Sequence, residues 1–344
     1  MFAGAVLGVV MKNLRVYLAA AITILAATAA RADDCKLSRA ASLDISLTRD
    51  GRILVPVTIN DTAKFLMVDT GAPLSTLEPD TVADLGLKTE RMYEGQMFNS
   101  LGQSFTAIAL VPSLSIDQAH ASNLKFPVDP TRFSEDPRMA GLLGADLLRH
   151  YDVDLDIANH KLNLFTQDHC PGKVIYWPAS AVAVVPFHIA QSGHIVLPVE
   201  LDGQSVDAIL DTGAGYSILD LETAEHQFGL QPGATDMKPE GNYGGEAGVP
   251  AYSHIFKTLG FDGLAVANPT VYIFKDMGAS AIKSAPETGT RLSSANAVNG
   301  IVPMILGRRE MAHLHLFISY KEQKLYITPS SPPADAASAQ TATH

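Results

Sequence analysis

Apolar and polar residues alternate over 43–47 and again over 53–59, with Arg49-Asp50-Gly51-Arg52 between them. A period of two on both sides of a turn predicts a β-hairpin, because successive side chains of a strand point to opposite faces. Asn60-Asp61-Thr62 turns the chain again, and Phe65-Leu66-Met67-Val68 is then a continuous apolar run that ends on Asp69. That run predicts a buried strand delivering a carboxylate into a glycine-containing turn, a rigid way to present an acid. Pro79 near its start and Gly86 near its stop bound a short helix over 79–87. Residues 90–116 read as two strands about the polar tip Asn99-Ser100-Leu101-Gly102-Gln103. Residues 117–139 are polar, proline-punctuated and carry no assignable period. A helical turn over 145–150 and a hairpin over 152–165 around Asn159-His160 close the first half.

The order then repeats. After a linker over 167–181, marked by Pro171-Gly172 and Pro178, come a hairpin over 183–201, a strand over 206–210, a helix over 221–228, a glycine-rich tip over 241–250 and a strand over 270–274. Gly51-Arg52-Ile53-Leu54-Val55-Pro56-Val57 lies over Gly193-His194-Ile195-Val196-Leu197-Pro198-Val199 at an offset of 142, and Val68-Asp69-Thr70-Gly71-Ala72 lies over Leu210-Asp211-Thr212-Gly213-Ala214 at the same offset. A second pair of anchors, Leu142-Leu143-Gly144 and Ile305-Leu306-Gly307, is offset by 163, as are the runs over 155–164 and 318–327. The second copy is therefore longer by 21 residues, and the Ser-, Ala- and Gly-rich stretch 276–300 is expected to hold most of the excess as a surface loop. Residues 329–344 read as a disordered tail.

An apolar pair, Asp-Thr-Gly-Ala, a β-rich stretch and then apolar-apolar-Gly resembles the retropepsin-like aspartic proteases, and here it occurs twice, over about residues 43–328. The resemblance implies an all-β fold: two retropepsin-like acid-protease β-barrel units in tandem, 33–166 and 182–328, forming a bilobal pseudo-dimer with short helices. It implies Asp69 and Asp211 as the catalytic pair, with Thr70 and Thr212 bonding across it and Gly71 and Gly213 letting backbone approach the carboxylates. It further implies mobile flaps over the substrate, for which Gly102, Tyr243, Gly244 and Gly245 are the candidates, the second flap being the more mobile. The copies also depart from the pattern. Pro73 follows Ala72 where Gly215 follows Ala214, and Arg308 after the second closing glycine has Ala145 as its counterpart and lacks the acidic partner common in the family.

At 344 residues the chain is long enough for two cores. A net charge of -11 without basic clusters excludes binding to a phosphate backbone, so nucleic acid is not an expected partner. Residues 1–32 read as an export signal: Lys12 and Arg15, an apolar stretch over 16–30, and Ala30-Arg31-Ala32 before Asp33. The expected location is periplasmic or secreted, with no stable membrane association after cleavage. An uncleaved anchor is the alternative. Cys35 and Cys170 are the only cysteines, and in an oxidising compartment they are candidates to pair.

Other candidate chemistry is weaker. His313 and His315 face one side of a predicted strand but have no third metal ligand near in sequence, and Asp152, Asp154 and Asp156 hint at calcium less well than they fit a solvated edge. Gly213-Ala214-Gly215 lacks the βαβ setting of a dinucleotide fingerprint. Ser75 and Ser217 sit at matching distances after the motifs and read as relics of the repeat, not nucleophiles, and Trp177 is expected to pack between the lobes. No metal or cofactor is expected. Three functions stay open: a monomeric aspartic endopeptidase acting on peptide or unfolded protein, a non-catalytic peptide-binding protein of the same fold, and a homodimer with separate dyads.

Overall fold

Strand Ile53–Ile59 buries Ile53, Val55, Val57 and Ile59 and turns Pro56 outward, and strand Ile195–Leu201 buries Ile195, Leu197, Val199 and Leu201 and turns Pro198 outward. The two copies thus use the same faces of the same strands. The structure is a computed structural model describing residues 36–93, 97, 99, 103–133, 136, 138–243, 248–275 and 302–330. The described residues from Leu37 onward belong to one unit, built mainly of strands in three sheets.

The first repeat forms an eight-stranded sheet and the second a ten-stranded one. In the first, the strand that leads into Asp69, Thr62–Val68, runs parallel to Met139–Leu143, with Val68 opposite Leu143. On the far side of Met139–Leu143 lies Thr76–Leu77, antiparallel, with Thr76 opposite Leu142. In the second, Gln204–Leu210 runs parallel to Met304–Leu306, with Leu210 opposite Leu306, and Ser217–Asp220 lies antiparallel on the other side, with Ile218 opposite Ile305. The offsets of 142 and 163 read from the sequence hold residue by residue. Each closing strand threads between the two strands that flank an Asp-Thr-Gly turn, and its terminal glycine is a steric requirement. A Cβ on Gly144 would sit 2.6 Å from the Leu74 carbonyl carbon, and one on Gly307 would sit 2.3 Å from that of Tyr216.

The third sheet joins the repeats. Its six strands are Arg39–Asp44, Lys161–Phe165 and Asp152–Asp156 from the first copy, then Leu314–Ser319, Lys324–Pro329 and Ala183–Pro186 from the second. At its centre Asp152–Asp156 pairs antiparallel with its own repeat counterpart, Val153 opposite Ile318 and Leu155 opposite Leu316. A two-fold axis demands such self-pairing of equivalent strands. One apolar core runs through both copies, from Ile53 and Leu66 to Leu197, Leu306 and Ile318.

This sheet corrects two expectations. Asp152, Asp154 and Asp156 lie buried on a central strand, not on a solvated edge. Asp152 accepts from Ser319 Oγ (2.8 Å) and the Tyr320 amide (2.9 Å) and lies 2.5 Å from His169 Nε2, while Asp154 meets Asn163 Nδ2 (2.9 Å), Tyr176 and His315. His315 is a core residue, its ring stacked on Trp177 at 3.8 Å. Pro329 and Ser330 belong to the fold rather than to a tail: Pro329 ends a strand, and Ser330 Oγ donates to Asp156 Oδ1 (2.7 Å). The export-signal, surface-loop and remaining tail expectations fall outside the described residues. Among the described residues no helix is long and apolar enough to cross a membrane.

Candidate active site

The two Asp-Thr-Gly turns meet back to back at the quasi-two-fold axis. Each strand delivers its acid with the backbone already held: the Asp69 amide donates to the Leu143 carbonyl and the Asp211 amide to the Leu306 carbonyl, both at 3.0 Å. Next, the threonines cross over. Thr70 Oγ1 donates to the Leu210 carbonyl (2.7 Å) and accepts from the Thr212 amide (3.0 Å), while Thr212 Oγ1 donates to the Val68 carbonyl (2.8 Å) and accepts from the Thr70 amide (3.0 Å). Both threonines are buried. Four bonds of about 1 kcal/mol each lock the turns in register, and losing one hydroxyl would strand a buried amide and a buried carbonyl together.

The glycines set the spacing of the acids. A Cβ on Gly71 would lie 2.2 Å from the Asp211 carboxyl carbon, and one on Gly213 would lie 2.4 Å from that of Asp69. Each carboxyl therefore rests on the bare backbone of the other turn, which is why neither position accepts a side chain. Asp69 Oδ1 accepts from the Gly71 amide (3.0 Å); Asp211 Oδ1 accepts from both the Gly213 (2.8 Å) and Ala214 (2.9 Å) amides. Burial raises Asp69 to about 8, helped by the charge of Asp211 and a hydrogen bond between the two carboxyls, against the pull of the Gly71 and Ala72 amides. Like charges this close cannot both ionise cheaply.

Three further groups frame the turns, and the sequence reading gave none of them this role. Ser75 Oγ donates to Asp146 Oδ1 (2.7 Å) and accepts from the Gly144 amide (2.9 Å); Ser217 Oγ donates to Glu310 Oε2 (2.5 Å) and accepts from the Gly307 amide (3.1 Å). These serines tie each closing glycine to its turn. Arg308 finds no acidic partner at Gly215; its Nη1 donates to the Gly213 carbonyl (2.7 Å) and its Nη2 to the Asp50 carbonyl (2.9 Å). On the opposite turn the Gly71 carbonyl lies 2.8 Å from His194 Nε2. The matching spacing of Ser75 and Ser217 was the available signal for the serine ties.

A family model described as aspartyl protease matches residues 55–147 and 197–306, more than half of the chain and both copies of the motif. The chain belongs to the aspartyl protease family. Among solved structures, this family member is similar to basic 7S globulin from soybean, at 9% identity and a TM-score of 0.47, covering 86% of this chain and 98% of that one. No curated protein matches it.

Of the flap candidates in this aspartyl protease homologue, Gly102, Gly244 and Gly245 fall outside the described residues. Both hairpins that would carry flaps are present: Lys88–Arg91 pairs with Ala107–Ile116, and Lys238–Tyr243 pairs with Val249–Ile255. Tyr243 is exposed, its ring stacked on Phe274 at 4.3 Å. Cys170 is disulfide-bonded; Cys35 lies outside the described residues. Among the described residues no group of His, Cys, Asp and Glu is arranged to hold a metal ion.

Proposed function

We propose that this protein is an exported aspartic endopeptidase in which Asp69 and Asp211 of a single chain activate a water. The observation that carries the reading is the reciprocal packing of each carboxyl on the other turn's glycine, with Asp69 held protonated far above the ordinary carboxyl range. Asp211, whose Oδ1 accepts from the Gly213 and Ala214 amides, serves as the base. It takes a proton from the water, whose oxygen attacks the peptide carbonyl. Asp69 donates its hydrogen bond to the developing oxyanion, as the protonated member of an aspartic dyad does. The buried threonine lattice keeps both acids in place, so no reorganisation accompanies the step.

The substrate is an extended peptide or unfolded protein lying between the two hairpins. The working species is a monomer, since one chain supplies both acids. Hydrolysis of an unstructured protein between pH 3 and 9 tests the reading. Asp69→Asn and Asp211→Asn should each lower the rate by about 10²–10⁴-fold. A mutant that cleaves like the parent would refute the shared-proton mechanism, and peptide binding with no cleavage by the parent would favour a non-catalytic member of the family.

A further inference from the structure

Gly71 touches both acids at once. Its amide donates to Asp69 Oδ1 at 3.0 Å, and the side of its α-carbon where a side chain would stand is filled by the Asp211 carboxyl. Its carbonyl is the remaining handle on that peptide, and the group holding it comes from the other repeat. His194 sits in the turn between strands His188–Ile189 and Ile195–Leu201, closed by bonds from the Gly193 amide to the Ala190 carbonyl and from the Ala190 amide to the His194 carbonyl, each 2.9 Å. Gly193, at φ +90, packs against Pro73 two residues beyond Gly71. A carbonyl only accepts, so Nε2 carries the proton. Ser192 Oγ, 2.7 Å from Nδ1, then donates to the bare nitrogen and fixes the tautomer. Burial lowers the affinity of this imidazole for a second proton, against the bond to Gly71 and the charge of Asp211.

The opposite turn is held differently. Gly213 is pinned by the guanidinium of Arg308, a permanent charge. The repeat counterparts do neither job: Arg52, at the position of His194, pairs with the Asp50 carboxylate at 2.8 Å and bonds the Phe133 carbonyl, and the side chain of Ala145, at the position of Arg308, has nothing to donate. Both pins thus come from the second repeat, an imidazole behind the Asp69 turn and a guanidinium behind the Asp211 turn.

We infer that His194 is a positioning residue for the dyad: through the Gly71 carbonyl it fixes the residue that separates the two carboxyls. The inference rests on the endopeptidase reading for its kinetic consequences but not for its electrostatic ones. The groups facing the ring are Ser192, the Gly71 carbonyl and Asp211. The test compares the full chain with His194→Phe, which keeps the ring shape without a donor, and His194→Gln, which restores an amide donor. Cleavage from pH 4 to 9 is read together with a carbon-13 titration of labelled aspartate carboxyls. His194→Phe should lower kcat by about 10–100-fold, the scale of a misplaced catalytic group, with KM within about twofold, narrow the pH profile and displace the higher carboxyl titration. His194→Gln should recover most of both.

An unchanged kcat or carboxyl titration in His194→Phe, or equal losses in Phe and Gln, overturns the assignment. A rise in KM alone overturns it too, since that is the mark of a substrate contact. If the parent cleaves nothing yet its carboxyl titration moves in His194→Phe and returns in His194→Gln, the endopeptidase reading fails and the positioning role stands. Should His194→Phe not fold, Ser192→Ala, which removes the tautomer constraint and keeps the ring, must displace the same titration or the role is lost.

Discussion

The two copies agree at the axis and diverge a few ångströms from it. The threonine lattice and the glycine contacts match pair for pair because each sets one copy against the other, and the closing strands match because each threads its own turn in the same way. The outer supports differ between the copies. Ser75 leans on an aspartate two residues past its glycine, Ser217 on a glutamate three residues past; Gly193 packs on Pro73, while Gly51 packs on Arg308, which lies against Gly215. There the halves have specialised, and the second repeat supplies both pins, one to its own turn and one to the other.

The largest expected effects are those that break the shared part. Gly144→Ala and Gly307→Ala drive a methyl into backbone at 2.6 and 2.3 Å, with no flexible side chain to give way. Each should cost about 4 kcal/mol or more, seen as a fall in the urea midpoint or failure to fold, and the two should be similar because the axis makes the sites equivalent. A clear difference between them would show that one closing strand is more adaptable than its match.

Next comes a change confined to one copy. Arg308→Met removes two charge-assisted bonds from a buried guanidinium and should cost about 2–3 kcal/mol in the urea midpoint. Arg52→Met, at the position of His194 in the first repeat and more exposed, should cost under about 1 kcal/mol. Equal costs would mean that the second repeat does not carry the dominant pin.

Two smaller effects depend on pH. Burial raises Glu310 above the ordinary glutamate range, so its contribution is fully present below the unfolded pKa of 4.5 and is lost as pH rises through the folded value. Glu310→Gln should therefore be neutral at pH 4 and stabilising at pH 8 in thermal unfolding. On the shared sheet, burial pulls His169 down, but the bonds to Asp152 and the Cys170 carbonyl and the charges of Asp152 and Glu322 outweigh it, and its affinity for a proton is raised. The stability it contributes is full below 6.5 and fades as pH rises through its folded value, so the stability gap between parent and His169→Gln should shrink on going from pH 5.5 to 8.5.

The repeated strands were legible because buried alternation survives duplication: Ile53–Ile59 lies where the pattern puts it and Ile195–Leu201 buries the matching positions. Strand Ala119–Pro127 was not, since Asn123, at φ +55, breaks the alternation of Ala119 and Ala121 from that of Leu124 and Phe126. The hairpin Thr258–Phe261 with Leu264–Ala267 had a turn signal in Asp262-Gly263, masked by the short strands beside it. Asp152, Asp154 and Asp156 misled because charge on a strand suggests water, whereas here His169, His315 and Ser319 satisfy it inside a sheet formed by residues far apart in sequence. His194 and Arg308 escaped for the same reason: their partners are backbone carbonyls, which leave no trace in residue type.

The shared proton is tested most directly by titrating the aspartate carboxyls of the parent and of Asp211→Asn by carbon-13 resonance. The parent should show one carboxyl protonated to about pH 8. In Asp211→Asn that titration should fall, since the neighbouring charge is gone, yet stay above the ordinary range because burial remains. A parent with every carboxyl titrating in the ordinary range, or a high titration that Asp211→Asn leaves where it was, would contradict the pairing of the two acids.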